Sequence, residues 1–139
     1  MKCPRCHVEL TIEQEYHGIQ VDRCRACNGR WLDHDELDQL EATVPSTPEE
    51  RRATIQYARR KSELACPKCS RGMTAFDYRA YNLELDACDE HGFWLDAGEE
   101  ARIRDIIQER VRGLARAASA EASWGRFLSG LKKKLPRAR

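Results

Sequence analysis

Cys24 to Leu37 reads CRACNGRWLDHDEL, and Cys88 to Glu100 reads CDEHGFWLDAGEE. Each stretch places two potential metal ligands three residues apart, follows them with Gly-x-Trp-Leu-Asp and ends on a helix-start signal. Upstream of each lies a second ligand pair in a Cys-Pro-x-Cys setting: Cys3 and Cys6 before the first, Cys66 and Cys69 before the second. Four soft or borderline ligands complete a tetrahedral shell for one ion. The repeat therefore predicts two metal sites, Cys3, Cys6, Cys24 and Cys27 in one and Cys66, Cys69, Cys88 and His91 in the other.

This repeat changes how the length is read. A chain of 139 residues would ordinarily be one domain, but two units of about 40 residues fall where an apolar core alone rarely suffices. With 34% charged and 7% aromatic residues, little is left to pack. Seven cysteines leave one thiol over in any disulfide scheme, and a pattern beginning at Cys3 leaves no space for a secretory signal. The expected setting is a reducing cytoplasm, with thiols kept for metal rather than for disulfides. No apolar run approaches the roughly 20 residues of a membrane-spanning helix.

In the first unit, residues 1–41, Val8, Leu10 and Ile12 alternate with polar residues, Tyr16-His17-Gly18 marks a turn, and Ile19 and Val21 alternate again into Cys24. This predicts a hairpin joining one ligand turn, or knuckle, to the other. Asp33 with Glu36 then forms a capping box for a helix ending near Leu40. Residues 42–65 are a linker: Thr47, Pro48 and Glu50 predict a helix start, and the helix is drawn to about Glu63 as a solvated spacer. The second unit, residues 66–103, repeats the first, and Asp96 with Glu99 predicts another helix start. Residues 104–139 are a helical, basic tail. Ala117, Ala120, Trp124, Phe127, Leu128, Leu131 and Leu135 fall within roughly a 100° arc of a helical wheel. Gly125 and Gly130 weaken that helix by about 1 kcal/mol each relative to Ala, so it is expected to form against a partner.

The spacing between equivalent positions is informative. The offset is 63 at the first ligand pair, 64 at the second and 63 again at Trp31 and Trp94. One residue is gained in the hairpin and lost after the last ligand, where Cys27 becomes His91. A histidine reaches further from its backbone than a cysteine, so the exchange and the deletion compensate and the tryptophans keep register.

Cys-x-x-Cys presents two thiolates from one tight turn, and two such turns clamp one ion. Zinc is preferred, with iron the rival for the site of four cysteines. Apparent zinc binding of roughly 10–16 kcal/mol in small fingers exceeds what so small a core supplies, so metal and fold should be one equilibrium. CPRC followed by CRACNGRWLDHDEL, and CPKC followed by CDEHGFWLDAGEE, closely resemble the zinc-finger family named after the zinc ribbon of transcription factor IIB. The resemblance covers about 80 residues in two copies, and the Cys-x-x-His-Gly form of the last pair resembles a variant of that family. Asp35 stands where copy two has Gly98, and Glu100 where copy one has Leu37. The fold class is accordingly a small zinc-dependent α+β arrangement: tandem zinc ribbons, each a two-knuckle hairpin plus a short helix, with a helical linker and a C-terminal helical tail. The cofactor expectation is two Zn2+ ions, one per repeat.

Other residues invite sharper readings that simpler ones displace. Trp31 and Trp94 are each expected to pack over their own knuckle. Asp33 with Glu36, and Asp96 with Glu99, have the spacing of helix caps rather than of catalytic carboxylate pairs. His7, His17 and His34 have no neighbour at ligand spacing, although His34 directly follows Trp-Leu-Asp.

Charge is divided unevenly: 11 Lys+Arg face 3 Asp+Glu from Ala101 to Arg139, against 13 and 20 before them. An acidic metal-binding part and a basic tail point to a non-enzymatic zinc-binding interaction module, transcription-associated if the family resemblance extends to function. A protein partner is expected for the ribbons. Nucleic acid is a partner class for the tail through Lys132, Lys133, Lys134, Arg137 and Arg139. An anionic membrane surface is another, which would make the chain a peripheral adaptor. Docking of the tail on the acidic ribbons is the plainest reading of all, and zinc or redox sensing is a further alternative. No small-molecule substrate is expected.

Overall fold

The structure is a computed structural model that describes residues 1–134, the side chains of Glu15 and of the last three excepted. In the first repeat β1 (Thr11–Tyr16) and β2 (Ile19–Arg23) form the expected hairpin, and β3 (Arg30–Leu32) runs back along β2. His17 and Gly18 turn the hairpin at φ 51° and 80°, the two consecutive left-handed residues of a type I′ turn. Leu10, Ile19 and Val21 are buried, whereas Val8 and Ile12, which alternate with Leu10, are exposed.

Helix α1 (His34–Ala42) starts at a complete capping box, with Asp33 Oδ1 accepting from the Glu36 N–H at 2.7 Å and Glu36 Oε2 accepting from the Asp33 N–H at 2.9 Å. It buries Leu37 and Leu40, each worth about 1.5–3 kcal/mol relative to exposure.

The second repeat follows the same plan with β5 (Gly72–Tyr78), β6 (Glu84–Cys88), β7 (Gly92–Leu95) and α3 (Glu99–Lys134). Its β7 pairs antiparallel with β3, setting Trp31 opposite Trp94, Arg30 opposite Leu95 and Leu32 opposite Phe93. Each tryptophan thus faces its own repeat equivalent, as residues do across a two-fold interface between subunits. The result is one seven-stranded sheet in the order β1-β2-β3-β7-β6-β5-β4. On one side Leu32, Leu37 and Leu40 share a core with Phe76, Leu85 and Ile103; on the other Trp31 and Trp94 share a smaller core with Cys3, Cys24 and Cys66.

The linker departs from expectation. Thr47 and Glu50 form the predicted capping box, but the helix, α2 (Pro48–Arg51), stops after one turn. Gln56–Ala65, drawn as helix, is the edge strand β4, antiparallel to β5. The apolar residues of this segment make no helical stripe, and most helical stability in proteins comes from packing such a stripe. As a strand the segment covers the edge of β5, and its charges suit an edge: Arg60 pairs with Asp77 at 3.1 Å and Glu84 at 2.5 Å, and the buried Ser62 hydroxyl donates to Asp86 at 2.6 Å. The bridge between Lys2 and Glu9 is the first repeat's counterpart of the Ala65–Gly72 pair, 63 residues on.

The tail is one continuous helix with the second repeat's helix, crossing position 104 and both Gly125 and Gly130. Ile103, Ile106 and Ile107 anchor it in the core, but every residue from Leu114 to Ser129 is exposed. The tail is therefore docked on the body through Ile106, Ile107 and Arg110 and undocked from Leu114 to Ser129. Leu135, Arg137 and Arg139 lie outside the described residues, as do the side chains of Lys132, Lys133 and Lys134.

Candidate metal centres

The fold brings together all eight side chains that the spacing singled out. The potential ligand atoms of Cys3, Cys6, Cys24 and Cys27 lie within 4.8 Å of one another, and so do those of Cys66, Cys69, Cys88 and His91. All seven cysteines are free thiols.

Three of the four ligand turns have one geometry. In the first, Cys3 N–H donates to the Val8 carbonyl and His7 N–H to the Cys3 carbonyl, with His7 left-handed at φ 59°. Cys66 with Ser70 and Arg71 repeats this, Ser70 at φ 64°. Cys24 with Asn28 and Gly29 repeats it again, Asn28 at φ 59°. The fourth turn closes earlier, His91 N–H donating to the Cys88 carbonyl at 3.2 Å, with Gly92 immediately after at φ 145°. That is the deleted residue, lost where the longer imidazole stands.

Backbone amides point at the sulfurs. Cys3 Sγ accepts from Arg5 N–H at 3.4 Å and Cys6 N–H at 3.3 Å, Cys27 Sγ from Gly29 N–H at 3.4 Å, and Cys66 Sγ from Lys68 N–H at 3.3 Å. Such donors stabilise thiolate charge. Against burial, which acts to raise it, the Cys24 thiol is drawn down to about 7 by the Cys27 and Ala26 amides, and the Arg71 amide draws Cys69 to about 6. Their neighbours move the other way: sharing a proton with Cys27 holds Cys6 up at about 12, and burial lifts Cys3, and Cys66 to about 11. In each cluster one thiol is drawn down while a neighbour is held up, an imbalance that a bound cation would remove.

The distances fit such a cation. With Zn–S near 2.3 Å, a tetrahedral shell has S···S edges of about 3.8 Å and S···N edges of about 3.5 Å. Cys3 Sγ is 3.8 Å from Cys27 Sγ, and Cys69 Sγ is 3.8 Å from Cys88 Sγ. The His91 Nδ1 lies 3.4 Å from Cys88 Sγ and 3.7 Å from Cys66 Sγ. Two sites of this kind are consistent with zinc binding.

Trp94 reaches beyond its own repeat. A Cβ on Gly29, two residues past Cys27, would stand 2.2 Å from Trp94 Cζ2, so the second repeat's indole closes on the first repeat's knuckle. Gly92 answers from the other side: its Cβ would stand 2.3 Å from the Leu32 carbonyl oxygen. Arg5, inside the first Cys-Pro-x-Cys, makes a two-pronged ion pair with Asp96 at 2.6 and 2.9 Å, and Asp96 also accepts from Trp94 Nε1 at 3.1 Å. His34 reaches across too, its Nε2 3.0 Å from the Asp89 carbonyl oxygen and its ring edge-on to Phe93. His7 and His17 occupy turn positions.

Asp33 with Glu36 caps its helix, but the second pair forms only half of the expected box: Glu99 accepts from the Asp96 N–H at 2.8 Å while the Asp96 carboxylate is taken by Arg5 and Trp94, and burial raises the Glu99 pKa to about 7. Sequence reasoning missed the buried contact that locks the repeats on the helical side. There Arg79, from the end of the β5 hairpin, donates to Glu41 of α1 at 2.9 Å, and the Tyr78 hydroxyl donates to the same carboxylate. No local pattern marks such a pair, because its partners are 38 residues apart.

Residues 2–43 match the family model described as Transcription factor zinc-finger, that of the transcription factor IIB zinc ribbon. The second four-residue cluster supports a second copy. No curated protein and no solved structure matches the chain.

Proposed function

With residues 2–43 a zinc ribbon of the transcription factor IIB type, we propose that the chain is a non-enzymatic interaction module. Two zinc ions, one held by Cys3, Cys6, Cys24 and Cys27 and the other by Cys66, Cys69, Cys88 and His91, fix one composite sheet. The carrying observation is that each cluster supplies four protein donors within 4.8 Å of one another. Four donors close the shell, whereas catalytic zinc keeps one position open for water or substrate. Zinc here supplies charge balance for the thiolates and a cross-link between turns.

The finer reading is a transcription-associated regulator that meets protein through its ribbons and nucleic acid through its basic tail. The sign of the charge supports this division: α1 and its cap read DHDELDQLE, while Lys132, Lys133, Lys134, Arg137 and Arg139 cluster at the other end. Phosphate contacts release counterions, so affinity through such a tail falls steeply with salt.

Metal analysis of the purified chain should give two zinc ions, and X-ray absorption should give a mean shell of sulfur with a minority of nitrogen. Three protein ligands at either ion would overturn the non-enzymatic reading. Labelled DNA and RNA should bind the full chain in a salt-dependent manner and not a truncation ending at Ala118. Equal binding by both, or by neither, would remove the nucleic-acid part.

A further inference from the structure

Helix α3 is anchored for about three turns, to Arg110, and then leaves the body. Arg104 donates to the Thr43 hydroxyl at 3.0 Å, and Arg110 donates to the Glu50 and Arg52 carbonyls at 2.6 Å each. From Leu114 to Ser129 every residue of the helix is exposed, a span of about 24 Å at 1.5 Å per residue. Yet it is not a plain polar spacer: Leu114, Trp124, Phe127, Leu128 and Leu131 stand exposed along it, Trp124 at 60%, and Trp124 and Phe127 stack on each other at 5.3 Å.

These side chains continue the side that already packs on the body. At 100° per residue, the exposed arc is centred within about 45° of the arc of Ile103, Ile106 and Ile107. The apolar face therefore overhangs the space beside the body. A flat bilayer applied to that face would meet the body first, whereas a single helix lying beside the body fits under the overhang.

We infer that the occupant is the same overhang of a second copy, packed antiparallel, so that the chain is a two-fold dimer joined through residues 114–134. Placing Trp124 near the two-fold axis sets Leu128 against the partner's Ala120 and Leu131 against the partner's Ala117. At these two positions large side chains meet small ones, the complementarity on which close helix packing depends, while Trp124 meets its own counterpart at the axis and Phe127 lies opposite the partner's Glu121.

Charge selects the same arrangement. A parallel pair would bring the two Lys132-Lys133-Lys134 clusters together, at a cost. The antiparallel pair keeps the two clusters at opposite ends of the seam, each beside the partner's Arg116 and toward a body whose residues 1–100 hold 20 Asp+Glu against 13 Lys+Arg. The five exposed side chains alone leave on the order of 450 Å² of apolar surface per chain, more than half of the about 800 Å² per partner in a stable interface. The dimer would also double the zinc-bearing sheets and present two of them at fixed separation.

The test is sedimentation equilibrium of the zinc-loaded full chain at physiological salt. The wild type should run as a dimer at tens of micromolar. The Leu128→Glu, Leu131→Glu variant should retain both zinc ions and its sheet spectrum while its dissociation constant rises by at least about 100-fold, or about 2.7 kcal/mol. Mixing Ala120→Cys chains with Leu128→Cys chains should give inter-chain disulfides mapped to 120–128, and Leu128→Cys alone should give none. A monomeric wild type overturns the proposal, as does a dimer unaffected by the two glutamates or a crosslink of residue 128 to itself. Binding of the monomer to vesicles of anionic lipid, lost with the two glutamates, would give the stripe to a membrane instead.

Discussion

The two repeats carry nearly the same signature and are used differently. The first donates a knuckle surface: Gly29 opens space for Trp94, and Arg5 reaches out to Asp96. The second donates the side chains that fill and bind that surface, and it alone extends its helix, α3 running 36 residues where α1 runs nine. The exchange of Cys27 for His91 accompanies a tighter fourth turn, whose Gly92 presses against the backbone of Leu32 and Asp33. A duplicated unit with its own ion thus gains stability from its twin as well as from its metal. The comparison teaches that the repeats are halves of one sheet, closer to a dimer within a chain than to beads on a string.

The sharpest way to break the comparison is to remove one metal site. In a chain with Trp31→Phe and Trp124→Phe, only Trp94 reports by fluorescence. Cys24→Ala should cut bound zinc from two ions to one and shift Trp94 emission to the red, although Trp94 belongs to the other repeat. The loss draws on the roughly 10–16 kcal/mol of a structural zinc site. Unshifted emission with one zinc bound would mean the repeats fold independently.

Next come the two glycines. Gly92→Ala should cost about 3–5 kcal/mol, because a Cβ there meets backbone and the left-handed φ of 145° strains any L side chain. Gly29→Ala should cost a similar amount in the native chain, but Trp94→Phe should recover a good part of it, since the clash is with the indole. Denaturant melts of the two alanine variants, each with and without Trp94→Phe, separate the cases; recovery at Gly92 would contradict the geometry.

On the helical side, Glu41→Gln leaves the Arg79 guanidinium buried without its counter-charge. Breaking a buried pair from one end costs about 3–5 kcal/mol, and a thermal melt should show it. The Arg79→Met, Glu41→Leu double variant should lose less than the single one.

The smallest effect concerns protons. Zinc takes thiolates, so a thiol whose pKa is raised must shed its proton on binding, and affinity falls as pH falls. At the first site Cys3 and Cys6 are both held up, Cys6 at about 12, while Cys24 is already thiolate above about 7. Between pH 7 and 9 at least two protons leave. Competition with a chelating dye should therefore show first-site affinity rising at least about 100-fold per pH unit, about 2.7 kcal/mol. A slope of one would mean that Cys3 or Cys6 is held as thiolate before metal arrives.

Much of the site was legible in the residues. Ligand spacing is local: Cys-x-x-Cys closes on itself by hydrogen bonds four or five residues long, and the repeat of Gly, Trp-Leu-Asp and Glu identified which turns belong together. Asp33 with Glu36 and Thr47 with Glu50 also wrote their caps correctly, because a capping box needs only four residues. The length of the second helix was another matter. Gln56–Ala65 became a strand because β5 had an edge to cover, and that edge lies outside any window containing those ten residues.

By itself the sequence determined two four-donor clusters, the hairpins that carry them, the cap of the first repeat's helix and the division of charge between an acidic body and a basic tail. Only the tertiary structure decided that Trp31 and Trp94 meet across one sheet, that Glu41 answers Arg79, and that α3 leaves the body after Arg110 with its apolar side uncovered. Ligand turns and caps are set by contacts within a few residues. Strand pairing, by contrast, is settled by which exposed edges and buried charges find each other once the chain has closed.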